Sequence, residues 1–239
     1  MWAICKKELR QFFTSLTGYL AIIVFLLLNG LFLFVFPDSS IFDFGYATLD
    51  KFFELAPWIL LLLIPAITMR SFSDEFRSGT YEILLTRPLS KTQIILGKYV
   101  AALIVVVVAL IPTLFYVFTI KDLSTGGIDS GGIAGSYVGL IFLAATFTAI
   151  GICSSSFTAN PVVSFLLSAF LCFLFYNAFS AVSKIPTLKS GTDYYVEMLG
   201  IDFHYQSISR GVLDSRDLIY FLSLIFFFLF VTDKNLEKR

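Results

Sequence analysis

The chain has 239 residues, 57% of them hydrophobic, 17% aromatic and 14% charged, with 28 phenylalanines and a formal net charge of zero. A soluble domain carries about 25% charged residues, so this composition excludes a water-soluble domain of ordinary make-up and places the chain in a bilayer. Charge neutrality gives no reason to expect nucleic acid as a partner. The cysteines Cys5, Cys153 and Cys172 sit in or beside apolar runs, form no disulfide framework and read as small buried hydrophobes.

Residues 2–16 predict an amphipathic helix. At about 100° per residue, Trp2, Cys5, Leu9, Phe12, Phe13 and Leu16 fall within one arc of roughly 100°, away from Lys6, Lys7 and Arg10. Such a helix lies in the headgroup plane with its cations toward anionic lipid. The apolar run that follows is too long for a signal peptide and lacks a small-x-small cleavage pattern. No charge occurs from Gln11 to Pro37, which predicts a first span over about 19–36. Asn29 within it reads as a helix–helix hydrogen bond. An acidic stretch over 37–54 follows. The second span is less sharply drawn, because the uncharged run 55–69 has only 15 residues and holds Pro57 and Pro65. Tilting, extension into the cytoplasm, or use of Phe52 and Phe53 as an outer extension all remain open.

Residues 70–98, RSFSDEFRSGTYEILLTRPLSKTQIILGK, are the most polar passage, with Arg70, Arg77, Arg87, Lys91 and Lys98 against Asp74, Glu75 and Glu82. Gly79 is expected to break one helix and Thr80 to cap the next. Glu82 then stands in the first turn, where the helix dipole favours an anion. That helix, 81–86, stops by Arg87 because Pro88 disfavours helical geometry before it. Ser90 and Gln93 have capping-box spacing, with Leu89 and Ile94 as a hydrophobic staple, so a further helix starts at Lys91. A loop this structured between two spans has the form of a docking surface.

Span three covers 99–120, with Pro112 as a kink. Residues 130–183 carry no charge, too long for one span. The polar break 153–161 divides them into span four, 133–152, and span five, 162–182. Gly135 and Gly139 put small residues on one helix face for close packing, while Gly127 and Gly131 read as loosening a loop. The segment 184–216 is polar and aromatic and holds the only histidine, His204, beside Tyr194, Tyr195, Phe203 and Tyr205. With no second histidine or cysteine pair it reads as interfacial rather than metal-binding. Whether part of 200–216 re-enters the membrane as an amphipathic helix stays open. A last span over 218–232, with Asp217 abutting it, precedes a soluble tail.

Six spans put both termini on one side. That side holds eleven Lys and Arg against six on the other, so the termini and the 70–98 loop are expected in the cytoplasm of a bacterial inner (plasma) membrane. The fold class is all-α, a single polytopic domain over 1–239, with an interfacial helix at 1–17 and an extracytoplasmic hairpin at 184–216. There is no G-x-x-x-x-G-K-[ST] loop; Gly97-Lys98 is followed by tyrosine, and residue 92 is threonine. No catalytic triad or zinc spacing is present, and no charged residue sits at the centre of any span, as an ion-coupled transporter needs. The chain is therefore expected to hold no cofactor and no metal, and to draw any energy from elsewhere. A membrane-embedded enzyme or uncoupled scaffold would have to rely on the tyrosines and aspartates of 193–217.

Glu75, Gly79, Thr80, Glu82, Leu84, Leu85 and Pro88 spell E-x-x-x-G-T-x-E-x-L-L-x-x-P between two spans. With the order of elements and the later segment 203–221, this resembles the ABC-2 type permeases, the membrane subunits of ATP-driven exporters. Within that family it looks most like the gliding-motility permease subunits of the GldF type, with the copper-processing permeases of the nitrous oxide reductase system as near relatives. The resemblance implies a coupling helix over 79–87, between spans two and three, seated in a groove of a separate ATP-binding subunit (GldA-like) that holds the ATP and Mg. It implies an interface of Asp74, Glu75, Arg77, Ser78, Gly79, Thr80, Glu82, Ile83, Leu84, Leu85, Arg87 and Pro88. Glu75, Arg77, Glu82 and Arg87 would be its polar contacts, and Ile83 to Leu85 its apolar anchor. The membrane-interface helix, through Trp2, Lys6, Lys7, Leu9, Arg10, Phe12 and Phe13, would lie beside it. A second permease chain, the same or GldG-like, would complete the assembly.

Overall fold

The computed structural model describes residues 1–36, 48–86, 89–124, 127–184, 193–212 and 214–238. Among them every regular element is a helix. In chain order the α-helices are α1 (Trp2–Thr14), α2 (Leu16–Phe34), α3 (Asp50–Thr68), α4 (Ser73–Ser78), α5 (Thr80–Leu85), α6 (Lys91–Leu110), α7 (Leu114–Leu123), α8 (Ser130–Phe157), α9 (Pro161–Phe173), α10 (Phe179–Ser183), α11 (Asp193–Glu197), α12 (Ile201–Ile208) and α13 (Ser215–Glu237), with a π-helical turn, Leu174–Ala178, between α9 and α10. Among the described residues five stretches are long and apolar enough to cross a bilayer: Asp50–Ser78, Lys91–Leu123, Ser130–Phe157, Pro161–Ser183 and Ser215–Glu237. The pair α1 and α2, bent by 71°, makes a sixth when taken as one. The chain is an all-α polytopic membrane protein.

The core forms around α8. Leu140, Leu143, Ala144, Phe147 and Ile150 are wholly buried there, against α3, α6, α9, α12 and α13. Small side chains permit this crowding, since lipid offers no hydrophobic drive and close packing must hold the helices. A Cβ on Gly135 would lie 2.8 Å from the carbonyl oxygen of Gly211, and one on Gly139 would strike Ile208, so both glycines sit where α12 and the turn after it press on α8. Gly127 is in the loop, but Gly131 belongs to the first turn of α8, which Asp129 caps by accepting the Gly132 N–H at 3.0 Å.

Several expectations are redrawn. The span-two alternatives resolve into a helix that starts at Asp50, keeps Phe52 and Phe53 buried and passes through both prolines. The kink at Pro112 is a 3₁₀ turn, Ile111–Thr113, joining α6 to α7. The break expected over 153–161 shrinks to 158–160. Ser154, Ser155 and Ser156 donate their hydroxyls back to the carbonyls of Ile150, Ile152 and Cys153 at 2.7–2.9 Å, so the serines need no water and the helix runs on to Phe157. Asn160 then caps α9 by accepting the Val162 N–H at 2.9 Å. The expected soluble tail is helical to Glu237, with Leu236 buried. Asn29 bonds within its own helix rather than across to another, donating to Phe25 O at 2.8 Å. In an apolar surround the carbonyl one turn back is the nearest acceptor.

His204 is 3% exposed rather than interfacial. Its Nδ1 lies 2.7 Å from Asp217 and its Nε2 2.9 Å from the Met198 carbonyl, with its ring stacked 3.9 Å from that of Tyr220. The Tyr205 hydroxyl donates to the Phe53 carbonyl at 2.7 Å. These contacts set α12 into the end of the bundle opposite α4 and α5.

Candidate functional site

Gly79 is the hinge of the polar passage. Its φ of 69° and ψ of 7° are left-handed, a conformation that costs an L side chain about 1–2 kcal/mol and glycine almost nothing. Gly79 closes α4 and itself occupies the cap position of α5, so Thr80 is the first helical residue rather than the cap. The Thr80 hydroxyl instead meets that of Ser78 at 2.9 Å. The ends of α4 and α5 are held by rings. Tyr81 stands edge-on to Phe76 at 5.0 Å and to Phe72 at 6.4 Å, and Phe72 stacks on Phe76 at 6.0 Å. With Ile4, Ile94, Ile95, Ile152 and Leu236, Phe72 and Tyr81 form one buried apolar cluster. This knuckle therefore rests on the ends of α1, α6, α8 and α13 together.

Its outer face is uncovered. Ile83 is 61% exposed, Ser78, Gly79, Thr80 and Glu82 are exposed, and Arg77 reaches outward while pairing with Asp74 at 3.3 Å. Leu84 is half-buried against the apolar cluster. Leu85 ends α5, and Arg87 and Pro88, with the expected stop between them, lie outside the described residues. The capping box that starts α6 is present: Ser90 accepts the Gln93 N–H at 3.3 Å and Gln93 accepts the Ser90 N–H at 3.4 Å. Leu89 packs on the cluster that contains Ile94.

Beneath the knuckle is a charge cluster that the sequence did not foretell. Lys98 is 1% exposed. Its ammonium reaches Glu8 at 2.8 Å, Glu75 at 2.9 Å and the Ser71 carbonyl at 2.6 Å, and stands 5.0 Å above the Phe72 ring. Lys7 pairs with Glu75 at 2.8 Å and Glu8 at 3.5 Å. Two cations and two anions thus balance in a partly dry site, where an unmatched charge is costly. Burial pulls the Lys7 ammonium down, but the hydrogen bond and charge of Glu75, with the charge of Glu8, outweigh it and hold it above the ordinary lysine value. Glu75, expected among the contacts to a partner subunit, is 8% exposed and committed inward. The cluster ties α1, the turn after α3, α4 and α6 at one point. A Cβ on Gly97 would come within 3.0 Å of Ile4 Cβ and the Met1 carbonyl, so a bare backbone is what lets α1 lie against α6.

On α1, Trp2, Lys6, Lys7 and Arg10 are exposed, while Leu9, Phe12 and Phe13 lean on the main core. Among the described residues no three His, Cys, Asp or Glu side chains come together as metal ligands. A family model described as ABC-2 family transporter protein matches residues 2–198. No curated protein matches the chain.

Proposed function

Because the chain belongs to the ABC-2 transporter family, whose members are membrane permeases served by an ATP-binding partner, we propose that α4, Gly79 and α5 form the coupling element held by that partner. The observation that supports this reading is the contrast between the two faces of the knuckle. Ile83, at 61% exposure, stands outward while Phe72 and Tyr81 grip four helices beneath. An exposed isoleucine amid Thr80, Glu82 and Arg77 suits a groove with an apolar floor and a polar rim.

The mechanism follows from the connections. The partner subunit would carry the ATP and Mg, and this chain would supply no catalytic group. Closure of the partner dimer would push on α5. The ring stack would pass that push to Phe72, and the Lys98, Glu75, Glu8 and Lys7 cluster would pass it to α6 and α1. Span two would follow directly, because the candidate span Asp50–Ser78 ends in α4. The knuckle and both termini would then be cytoplasmic, in a bacterial inner membrane. The short length, the richness in phenylalanine and the bare six-span plan favour a gliding-motility system of the GldF type, with a GldA-like ATPase and a second permease chain, the same or GldG-like. A copper-processing permease is the alternative within the family.

The test is capture of an ATP-binding subunit from native membranes by the tagged chain, followed by the same capture with Ile83→Asp and Glu82→Lys. Loss of the ATPase with both variants supports the reading. Undiminished capture and ATP-driven coupling with both overturn it.

A further inference from the structure

At the end of the bundle away from the knuckle, a cavity of about 740 Å³ lies between the start of α3 and α12, within the range of about 300–1,000 Å³ typical of small-molecule sites. Two helix faces make its walls. Asp50, Phe53, Glu54 and Trp58 recur on α3 at the spacing of one face, and Asp202, Tyr205, Gln206 and Ser209 do so on α12 and its last turn. The Tyr205 hydroxyl, bonded to the Phe53 carbonyl at 2.7 Å, bolts the walls together. The π-helical turn closes a third side with Tyr176 and Asn177, and turns of this kind recur at functional sites.

The two ends of the cavity differ. Asp202 lies at the Trp58 end: it accepts from the Tyr176 hydroxyl, and Tyr176 stands edge-on to Trp58 at 5.5 Å. Asp202 is half-buried. Burial, helped by the charge of Glu197, pushes its carboxyl above the ordinary value, against hydrogen bonds from Tyr176 and Gln206 and the charge of Lys184. From there α3 runs back past Phe53 to Asp50, and α12 runs on past Tyr205 to Arg210, so those two exposed charges share the other end.

These end groups are open to a ligand. Among the described residues neither Asp50 nor Arg210 has an ion-pair partner and the Asn177 amide makes no hydrogen bond, whereas Glu54 is answered by Lys51 at 2.9 Å. Two carboxylates, Asp50 and Asp202, and one guanidinium are therefore left to be matched. Among the described residues no three acids come together to hold a metal ion, so the two positive charges belong on separate groups of one molecule. Asp202 and Arg210 are eight residues apart, about 12 Å at a rise of about 1.5 Å per residue. An extended lysine spans about 6–7 Å from side-chain ammonium to carboxylate at bond lengths of about 1.5 Å, and two charge-assisted hydrogen bonds of about 2.8 Å bring its reach to about 12 Å.

We propose that this cavity binds a free basic amino acid of the lysine type, with its side-chain ammonium at Asp202 beside Trp58, its α-carboxylate at Arg210 and its α-ammonium at Asp50. The indole face adds attraction for the ammonium. The experiment titrates the full chain in maltoside micelles with L-lysine by calorimetry. Saturable binding is expected. Norleucine, which keeps the chain but lacks the side-chain ammonium, and cadaverine, which lacks the carboxylate, should each bind at least about tenfold more weakly, the loss of one hydrogen bond to a charged group. Asp202→Asn should remove the preference for lysine over norleucine. Arg210→Gln should weaken lysine and leave cadaverine unchanged. Trp58→Leu, at a position 43% exposed, stands in for Asp202→Asn if that variant does not fold, and should weaken lysine more than norleucine. Lys234→Gln, near the knuckle, should change nothing.

Absence of saturable lysine binding overturns the site. Lysine binding indifferent to the variants at Asp202, Trp58 and Arg210 overturns its place in this cavity. Norleucine as tight as lysine overturns the distal ammonium. Nα-acetyl-lysine as tight as lysine overturns the role of Asp50 and makes the ligand the carboxyl-terminal lysine of a peptide. Every readout is taken without the ATPase, so this reading and that of the knuckle fail separately.

Discussion

The two ends of the bundle both bury ionisable groups, but they join different things. At the knuckle end, Lys7 reaches Glu75 and Lys98 reaches Glu8, ties across 68 and 90 residues of chain. At the opposite end, His204 and Asp217 are 13 residues apart and pin α12 to the helix that follows it. The first arrangement fastens three helices and a turn at one point beneath an uncovered face. The second closes a local lid and is itself covered by Tyr220. The charge pairs at the knuckle join elements far apart in the chain, whereas the His204–Asp217 pair itself joins only two neighbouring helices.

The comparison is broken most severely by Lys98→Met. It leaves Glu8 and Glu75 with only the half-exposed Lys7 as a shared cation, a loss approaching the roughly 3–5 kcal/mol of a buried pair that loses one partner outright. We expect a large drop in thermal midpoint in detergent and faster amide exchange in α1, α4 and α6 together. Adding Glu8→Gln and Glu75→Gln to Lys98→Met should restore part of it, because the charges left stranded are then gone. An unchanged midpoint for Lys98→Met alone would show that the cluster fastens nothing.

His204→Ala comes next. It strands Asp217 and the Met198 carbonyl, at about 1–3 kcal/mol. Exchange should rise in α12 and the start of α13 only, with ATPase capture intact; exchange that spread to α4 would erase the distinction between the ends. Gly79→Ala should cost about 1–2 kcal/mol through its left-handed backbone alone, since no atom lies within 4 Å of the added methyl. Chemical denaturation reads that directly. The smallest stability effect belongs to Ile83→Asp, within about 0.5 kcal/mol as for most surface changes, although it should remove the ATPase. A stability loss as large as that of Lys98→Met would mean that Ile83 holds the fold.

What the sequence made legible was local. Ser90 and Gln93 announce their capping box because both partners lie within one turn. Pro112 announces its 3₁₀ turn, and Gly79 its hinge, by their own backbone limits. The apolar runs located the spans because lipid demands length and hydropathy of each helix separately. The charge cluster was hidden because Glu8 is unremarkable until α1 folds back across α6. Lys98 offered the one available hint, a cation inside the first turns of a long apolar helix. Ser154 to Ser156 misled because serine looks like a loop residue and yet satisfies itself on the helix behind it. The end of α13 misled for a related reason: Lys234, Glu237 and Lys238 are exposed while Asn235 and Leu236 turn in.

That final turn has a practical reach. Asn235 donates to the Ser156 carbonyl at 2.7 Å, and Lys91 to the Leu236 carbonyl at 3.3 Å. Leu236 shares its nest with Tyr81 and Ile4, so the chain's first and last turns lean on the same aromatic rings. A fluorophore carried on Lys238 would sit just outside that nest. Its emission would report any shift of those rings, and make the carboxyl end an optical gauge of the knuckle.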